Sequence, residues 1–501
     1  MMLPPEFTER IHNQHYIDAG TLVAALAGPS AASVRVNRLK WPHGVTGYDR
    51  VEWEPDGWYL PERPLYTLDP LFHAGVYYPQ ESSSMFAGEM FRQLTAGSSG
   101  LRVLDLCGAP GGKSTHLSQL IGNDGLLVAN EVIRSRAAVL AENITKWGAG
   151  NTVVTNADPS RFQLLPGFFD IIVADAPCSG EGMFRSATAV QEWSVHNTKL
   201  CSDRQRRIVM ESWPALKPGG ILIYSTCTFN PGENEENVKW VMEQTGSESL
   251  SVSLPLGSPV VPVRFSGIEG YGFYPGRVRG DGFFIAALRK PVGAVHGTRE
   301  SVGNSVHDSR ESGRSSWQGS RESGRSSGQG NRDSGRGTGH SPVIRGRRKE
   351  VIKPSSAAFG TSEPLADFER GRVVIQEGRI IALATETGLF SYIEERLPVI
   401  KSGTMIGEIK NSVLIPAHDL AMSVKMRKEA WSCHPVTRDE AIGYLRLEPG
   451  SADGMPVGRV LLTYRGVSLG FVNNLGSRVN NGYPQAWRIR MERDNQFREI
   501  L

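Results

Sequence analysis

The chain has 501 residues, 39% hydrophobic and 21% charged, with a net charge of +3. That is enough for about three domains with buried cores, and it argues against a wholly disordered or fibrous chain. Its five cysteines (Cys107, Cys178, Cys201, Cys227 and Cys433) are odd in number and lack paired CxxC spacing, so neither a disulfide framework nor a metal is expected and a reducing cytoplasm fits best.

The N-terminus MMLPPEFTERIHNQ has no signal-type apolar core. No apolar run approaches membrane-spanning length, so no membrane is expected as a partner. Residues 1–97 read as a first unit. PPEFTERIHNQ and IDAGTLVAAL suggest short helices. Ser33–Lys40 alternates apolar with basic or polar side chains and predicts a strand with Arg35 and Arg38 among its polar positions. A Trp/Tyr/Pro-rich stretch, Trp41–Pro70, follows. A helix is expected to begin near Ser82–Ser84, with Met85, Phe86 and Met90 on its apolar face. Two uses stay open for this unit: a small α/β cap, or a surface whose basic and aromatic groups touch RNA.

Residues 101–290 alternate strand and helix signals. Strands are expected at 102–106, 126–131, 151–158, 170–177, 220–227 and 282–288. Helices are expected at Lys113–Ile121, Arg134–Trp147 and Asp203–Leu216. This is the pattern of a doubly wound parallel sheet. Gly297–Lys349 carries eleven Lys/Arg against five Asp/Glu, a net of +6 that leaves the remainder at −3. It repeats SRESGRSSWQG and SRESGRSSGQG, then a degenerate NRDSGRGTGH. Such a segment cannot bury a core; a disordered linker with weak RNA affinity is expected. Residues 356–501 are strand-rich with glycine turns and one short helix at DEAIGYLR. They read as α+β, in two parts meeting near Pro435.

The chemistry gathers at strand ends. Phe169–Arg185, FDIIVADAPCSGEGMFR, runs from a buried strand into Asp175 and Cys178. Asp105–Ser114, DLCGAPGGKS, joins the first strand to the first helix, where glycines admit close backbone approach to a ligand. A Walker loop would need glycine at Cys107, and GxGxxG is absent. Glu131 closes the second strand, where a carboxylate can hold a ribose diol. Asp158 ends the third strand and Asp175 the fourth. Together these suit a nucleoside ligand without a polyphosphate: S-adenosylmethionine rather than ATP. Cys227 follows the fifth strand in YSTCTFNP. A cysteine pair with this cofactor points to methylation at carbon 5 of a pyrimidine. A thiolate adding to carbon 6 makes carbon 5 nucleophilic, and an acid at ring nitrogen N3, a role suited to Asp175, stabilises the adduct.

DLCGAPGGKS, NADPSRF, DAPCSGEGMFR and YSTCTFNPGENEENV resemble the motifs of the RNA cytosine-5 methyltransferase family, the Sun/NOL/NOP group. HAGVYYPQESSSM and LTYRGVSLGF…NNGYPQAWR resemble its bacterial RsmF-like branch, which methylates a cytosine of small-subunit ribosomal RNA. The resemblance implies a Rossmann-like S-adenosylmethionine-dependent methyltransferase domain at 98–292. Before it stands a small N-terminal α/β RNA-binding domain at 1–97. After a Ser/Gly/Arg-rich linker at 293–350 come a connecting α+β domain at 351–435 and a PUA-like RNA-binding domain at 436–501. Carried over, the cofactor loop is Cys107, Gly108, Ala109, Pro110, Gly111, Gly112 and Lys113. The ribose acid is Glu131, the adenine-side acid is Asp158, and Asp175 stands between cofactor and base. Cys227 is the implied nucleophile and Cys178 assists product release. Gly108 and Ser114 replace the family's usual Ala and Thr. Pro275-Gly276 stands where relatives have Pro-His.

RNA is thus the expected partner, ribosomal RNA or the small subunit first. DNA is not expected, since the DNA enzymes use the Pro-Cys cysteine as nucleophile, and Glu236-Asn237-Val238 mimics their motif by coincidence. The alternatives are a tRNA substrate, or a non-catalytic RNA-binding assembly factor on the same scaffold.

Overall fold

Two short helices open the chain, as their sequences predict. In α1 (Pro5–His12) proline stands in the first turn, and Phe7 and Ile11, four apart, are buried. In α2 (Ala19–Leu26) the Asp18 side chain accepts from the Thr21 N–H, and Leu22 and Leu26 face inward. Both helices pack on Phe184, Phe229 and Tyr274, so the N-terminal unit rests directly against loops that carry the expected chemistry. The computed structural model describes residues 3–293, 364–493 and 499–501. The repeats expected to be a disordered linker lie outside the described residues.

β1 (Ala32–Val36) is the centre of a three-stranded antiparallel sheet with β2 (Gly57–Leu60) and β3 (Tyr77–Pro79). The strand pattern places Arg35 among the polar positions but does not show its burial: it is 1% exposed. Its guanidinium lies over Trp147 at 4.4 Å and donates to Gln80 Oε1 at 2.8 Å, Thr115 Oγ1 at 2.6 Å and the Gly112 carbonyl at 3.2 Å. Alternation assigns a face; it cannot tell that the larger domain covers that face. Arg38 lies beyond the strand, exposed and paired with Asp56. α3 (Phe86–Leu94) follows a single 3-10 turn at Ser83–Met85, with Met85, Phe86 and Met90 buried as expected.

The central sheet is built from β4 (Arg102–Asp105), β5 (Leu126–Asn130), β6 (Thr152–Thr155), β7 (Phe169–Asp175) and β8 (Leu216–Thr226). These five run parallel in the order β8-β7-β4-β5-β6. Their burial on both faces explains the near-continuous apolar runs. α4 (Gly112–Leu120), α5 (Arg134–Trp147), α6 (Val195–Ser212) and α7 (Glu235–Thr245) lie between or after them. α6 begins eight residues before the expected Asp203. Its first two turns carry Val195 and Leu200 exposed and show no helical apolar period, yet the Ser194 hydroxyl accepts from the Asn197 N–H and starts the helix.

β9 (Glu248–Leu250), β10 (Val261–Phe265), β11 (Ile268–Phe273) and β12 (Phe283–Arg289) extend the sheet antiparallel beyond β8. The β10–β11 hairpin was not expected. Its turn is Ser266-Gly267, both at positive φ (47° and 85°), the backbone that fits the twist of two antiparallel strands.

Residues 364–435 do more than connect. β13 (Val373–Gln376), β14 (Arg379–Ala382), β16 (Thr404–Lys410) and β17 (Val413–Pro416) form their own sheet. Between them β15 (Val399–Ser402) adds antiparallel to β6 and closes that edge of the central sheet. β18 (Ser432–Pro435) pairs parallel with β19 (Gly458–Tyr464), which continues into β20 (Val467–Asn474) and β21 (Val479–Asn481). The last sheet therefore starts at Ser432, before the Pro435 division expected from the sequence. α8 (Arg438–Leu445) opens on a capping box between Thr437 and Glu440. Among the described residues no helix is long and apolar enough to cross a membrane.

Candidate active site

Parallel strands deliver their carboxyl ends to one edge, where an open α/β sheet binds its ligands. Along that edge the strand order places Cys227 after β8, Asp175 at the end of β7, the glycine loop after β4, Glu131 after β5 and Asp158 beyond β6. A cavity of about 760 Å³ opens there, and Cys107, Ala109, Glu131, Asp158, Asp175, Cys178 and Cys227 are all on its wall. Its size suits a cofactor-sized ligand.

The other loop residues named from the sequence do not line it. Gly108 lies beneath: its N–H donates to the Asn130 carbonyl at 2.7 Å, and a Cβ there would come within 2.6 Å of Ser114 Oγ. Gly111 takes φ +123°, a turn that favours glycine. Lys113 turns away from the loop to Asp175, with Nζ 2.8 Å from Oδ2. Burial alone would lower the Lys113 ammonium; the Asp175 carboxylate outweighs it and raises it. Asp175 also accepts from the Ser225 hydroxyl at 2.7 Å. The carboxylate is thus fixed from two sides while about a third of its side chain stays open to the cavity. Under the loop, Asp105 accepts from Ser114 Oγ at 2.5 Å, and burial pushes it up to about 6.

Glu131 accepts from the Ile133 N–H at 2.9 Å and lies 3.4 Å from Arg136. Asp158 accepts from the Ser160 N–H and hydroxyl at 3.1 and 2.7 Å, which holds its carboxyl below the usual range, and it caps a 3-10 turn. The turn-capping role is therefore present alongside any ligand role. Val132 and Ile133, half exposed on the same wall, supply an apolar face that sequence reading passed over. Two apolar residues directly past a strand-end acid were the available signal. This set — an apolar face, a carboxylate fit for a diol and a second acid fit for an exocyclic amine — accommodates a nucleoside-type cofactor such as S-adenosylmethionine. Among the described residues no group of three or more His, Cys, Asp or Glu gathers for a metal ion.

The two cysteines meet. Cys178 Sγ and Cys227 Sγ are 3.0 Å apart, and the Cys227 N–H donates to Cys178 Sγ at 3.2 Å. The hydrogen bond to Cys227, then burial, holds the Cys178 thiol well above its ordinary value, so it stays protonated. Their loops are laced together by groups the sequence did not flag. Gly182 N–H donates to the Cys227 carbonyl at 2.9 Å, and Ser179 and Thr228 hydroxyls share a bond of 2.9 Å. Buried Glu181 takes the Phe229 N–H at 3.2 Å and Arg10 of α1 at 2.6 Å. Buried Glu233 takes the Ser179 N–H and the Gln205 amide, both at 2.9 Å.

Burial, with Glu181 nearby, pushes Glu233 up to about 7 despite the bonds from Ser179. An unfolded chain ionises this group near 4.5. The folded state therefore favours the neutral acid; that contribution is full below pH 4.5 and is lost as pH rises through about 7. Glu233→Gln keeps the shape and the neutral form. Its stability is expected to fall less than that of the wild type between about pH 5 and 8, by on the order of 2–3 kcal/mol. Urea unfolding at both pH values checks this, and parallel losses in the two proteins would contradict it.

Comparison with known proteins agrees along the chain. The family model of the 16S rRNA methyltransferase RsmB/F matches residues 94–289. The N-terminal domain of 16S rRNA methyltransferase RsmF matches residues 3–82, and the RsmF PUA domain matches 432–489. Ribosomal RNA small subunit methyltransferase F of Pectobacterium atrosepticum is 35% identical over 312 residues, covering 58% of this chain and 63% of that protein. The protein of the same name in Serratia proteamaculans is 36% identical over 310 residues, covering 58% and 64%. The chain thus matches less than two thirds of the length of these relatives. The solved structure of PH0851 shares the fold at 24% identity, with a TM-score of 0.52, covering 57% of this chain and 66% of that one. The central model of the 16S rRNA methyltransferases RsmB/F and the N-terminal and PUA models of RsmF thus match this chain in sequence order, so it is similar to RsmF-type 16S rRNA methyltransferases in all three regions.

Proposed function

We propose that the chain is an S-adenosylmethionine-dependent RNA methyltransferase that forms 5-methylcytosine in small-subunit ribosomal RNA through a covalent adduct between Cys227 and cytosine carbon 6. The observation that carries this reading is the pair of thiols 3.0 Å apart beside Asp175, on the wall of one cavity with Glu131 and Asp158. An enzyme methylating an exocyclic amine has no use for two sulfurs at this place. The names of the relatives and the RsmF and PUA matches favour ribosomal RNA over tRNA.

Glu131 would hold the ribose of the cofactor and Asp158 its adenine side, with Cys107 and Ala109 of the glycine loop against it and the rest of that loop shaping the backbone beneath. When bound, S-adenosylmethionine supplies an electrophilic methyl group. The target cytidine must be unstacked to reach the thiols, as in a loop or a partly assembled subunit. Asp175, paired with Lys113 and Ser225, accepts a hydrogen bond from N3, which takes up a proton to balance the one lost by the Cys227 thiol as the adduct forms and gives it up when the adduct breaks down. Cys227 adds as thiolate to carbon 6, and the electron pair of the 5,6 double bond becomes the nucleophile at carbon 5. After methylation a base takes the carbon 5 proton, the double bond re-forms, and the Cys227–carbon 6 bond breaks. Cys178, a protonated thiol in contact with the departing sulfur, delivers a proton to it.

The test is transfer of a tritiated methyl group to free small-subunit rRNA, whole subunits and tRNA. Label in rRNA or subunits, recovered as 5-methylcytidine, is the expected result. Label in tRNA alone would overturn the substrate. No label in any RNA, with cofactor still bound, would favour an assembly factor instead.

A further inference from the structure

The cavity wall carries four carboxylates, Glu131, Asp158, Asp175 and Glu192, and three arginines, Arg136, Arg204 and Arg207. RNA bringing its phosphates to this opening meets net negative charge unless a cation is free to receive it. Two of the arginines are spent. Arg136 lies 3.4 Å from Glu131. Arg207 lies 3.8 Å from Asp158 and 3.2 Å from Glu211. Arg204 is exposed on α6 and has no ion pair or hydrogen bond among the described residues. Its place is fixed nonetheless. The next residue, Gln205, is buried and donates to the Pro177 carbonyl at 3.1 Å and to Glu233 at 2.9 Å. The Arg204 backbone is thereby anchored to the loop that carries Cys178.

We propose that Arg204 binds a backbone phosphate of single-stranded RNA at the cavity mouth, beside the cytidine whose base reaches Cys227. A guanidinium with its N–H groups uncommitted makes charge-assisted, bidentate contacts to a phosphate. Such a contact positions the strand and reads no base. This assignment rests on the RNA methyltransferase reading above and names how that site takes its substrate.

The experiment measures kcat and KM for the RNA over a series of salt concentrations in wild type, Arg204→Gln and Arg204→Lys, with cofactor affinity titrated separately. Arg204→Gln is expected to raise KM for RNA roughly tenfold at moderate salt. The slope of log KM against log salt is expected to fall by about 0.7, the value for one phosphate contact on a single strand. kcat and cofactor affinity stay unchanged, and Arg204→Lys keeps most of the slope. An unchanged KM and slope would overturn the assignment. So would a raised KM with the wild-type slope, because a merely structural residue weakens binding without altering its counterion release. A wild-type protein that methylates no RNA would instead overturn the underlying reading, and this assignment with it.

Discussion

Cys227→Ala is expected to lower methyl transfer to RNA by at least about 10⁴-fold, the scale of loss when an enzyme's nucleophile is removed. Carbon 5 of cytosine has little nucleophilicity until carbon 6 carries an electron-rich substituent. Without the Cys227 sulfur, none of the groups around the cavity replaces it at that carbon. The fold should survive. Cys227 is only partly buried, and its backbone carbonyl still accepts from the Gly182 N–H. Cofactor affinity should also survive, since Glu131 and Asp158, the residues proposed to hold it, follow other strands. Methyl transfer and cofactor binding measured on the same preparation check this. Activity within about tenfold of wild type would contradict it and turn attention to Cys178, the Pro-Cys position that serves as nucleophile in DNA cytosine methyltransferases.

Cys178→Ala is expected to fail at the opposite end of the reaction. The first turnover should form methylated cytosine still joined to Cys227. Breakdown should then slow by roughly 10²–10³-fold, the usual worth of a positioned proton donor. Two features support this. The sulfurs are 3.0 Å apart, within reach for proton transfer. The Cys178 thiol, held well above its ordinary value by the Cys227 contact and by burial, carries its proton at neutral pH. Denaturing gels should show RNA retained on Cys178→Ala, and the double variant Cys178→Ala/Cys227→Ala should retain none. Free turnover of Cys178→Ala at the wild-type rate would remove the release role.

The parallel core was legible because buried strands write themselves as apolar runs: Ile171–Ala174 and Ile221–Tyr224 fall in β7 and β8. The acids and cysteines at their ends were legible for the same reason, once the strands were placed. What stayed hidden depends on partners distant in sequence. VIKS of β15 has no apolar run, and only its pairing with β6 makes it a strand of the central sheet. Arg35 was read only as a polar strand position, and that pattern does not show that Trp147 and Thr115 cover it. Lys113 sits in a ligand-type loop, yet its ammonium pairs with Asp175. Glu181 and Glu233, given no role from the sequence, are the buried anchors that hold the two cysteine loops together. A local pattern reports burial and periodicity; it does not report which buried polar groups find each other.

The most direct test of carbon 5 as the acceptor is tritium release. RNA carrying [5-³H]cytidine at the target would be incubated with the protein and unlabelled cofactor, and tritium appearing in water would be counted against methyl groups transferred. Methylation at carbon 5 must expel the hydrogen already there, so one tritium released per methyl gained is the expected result, with no release in Cys227→Ala. Methyl transfer to the RNA without tritium release would place the methyl on a nitrogen or oxygen and contradict the covalent cytosine-5 mechanism.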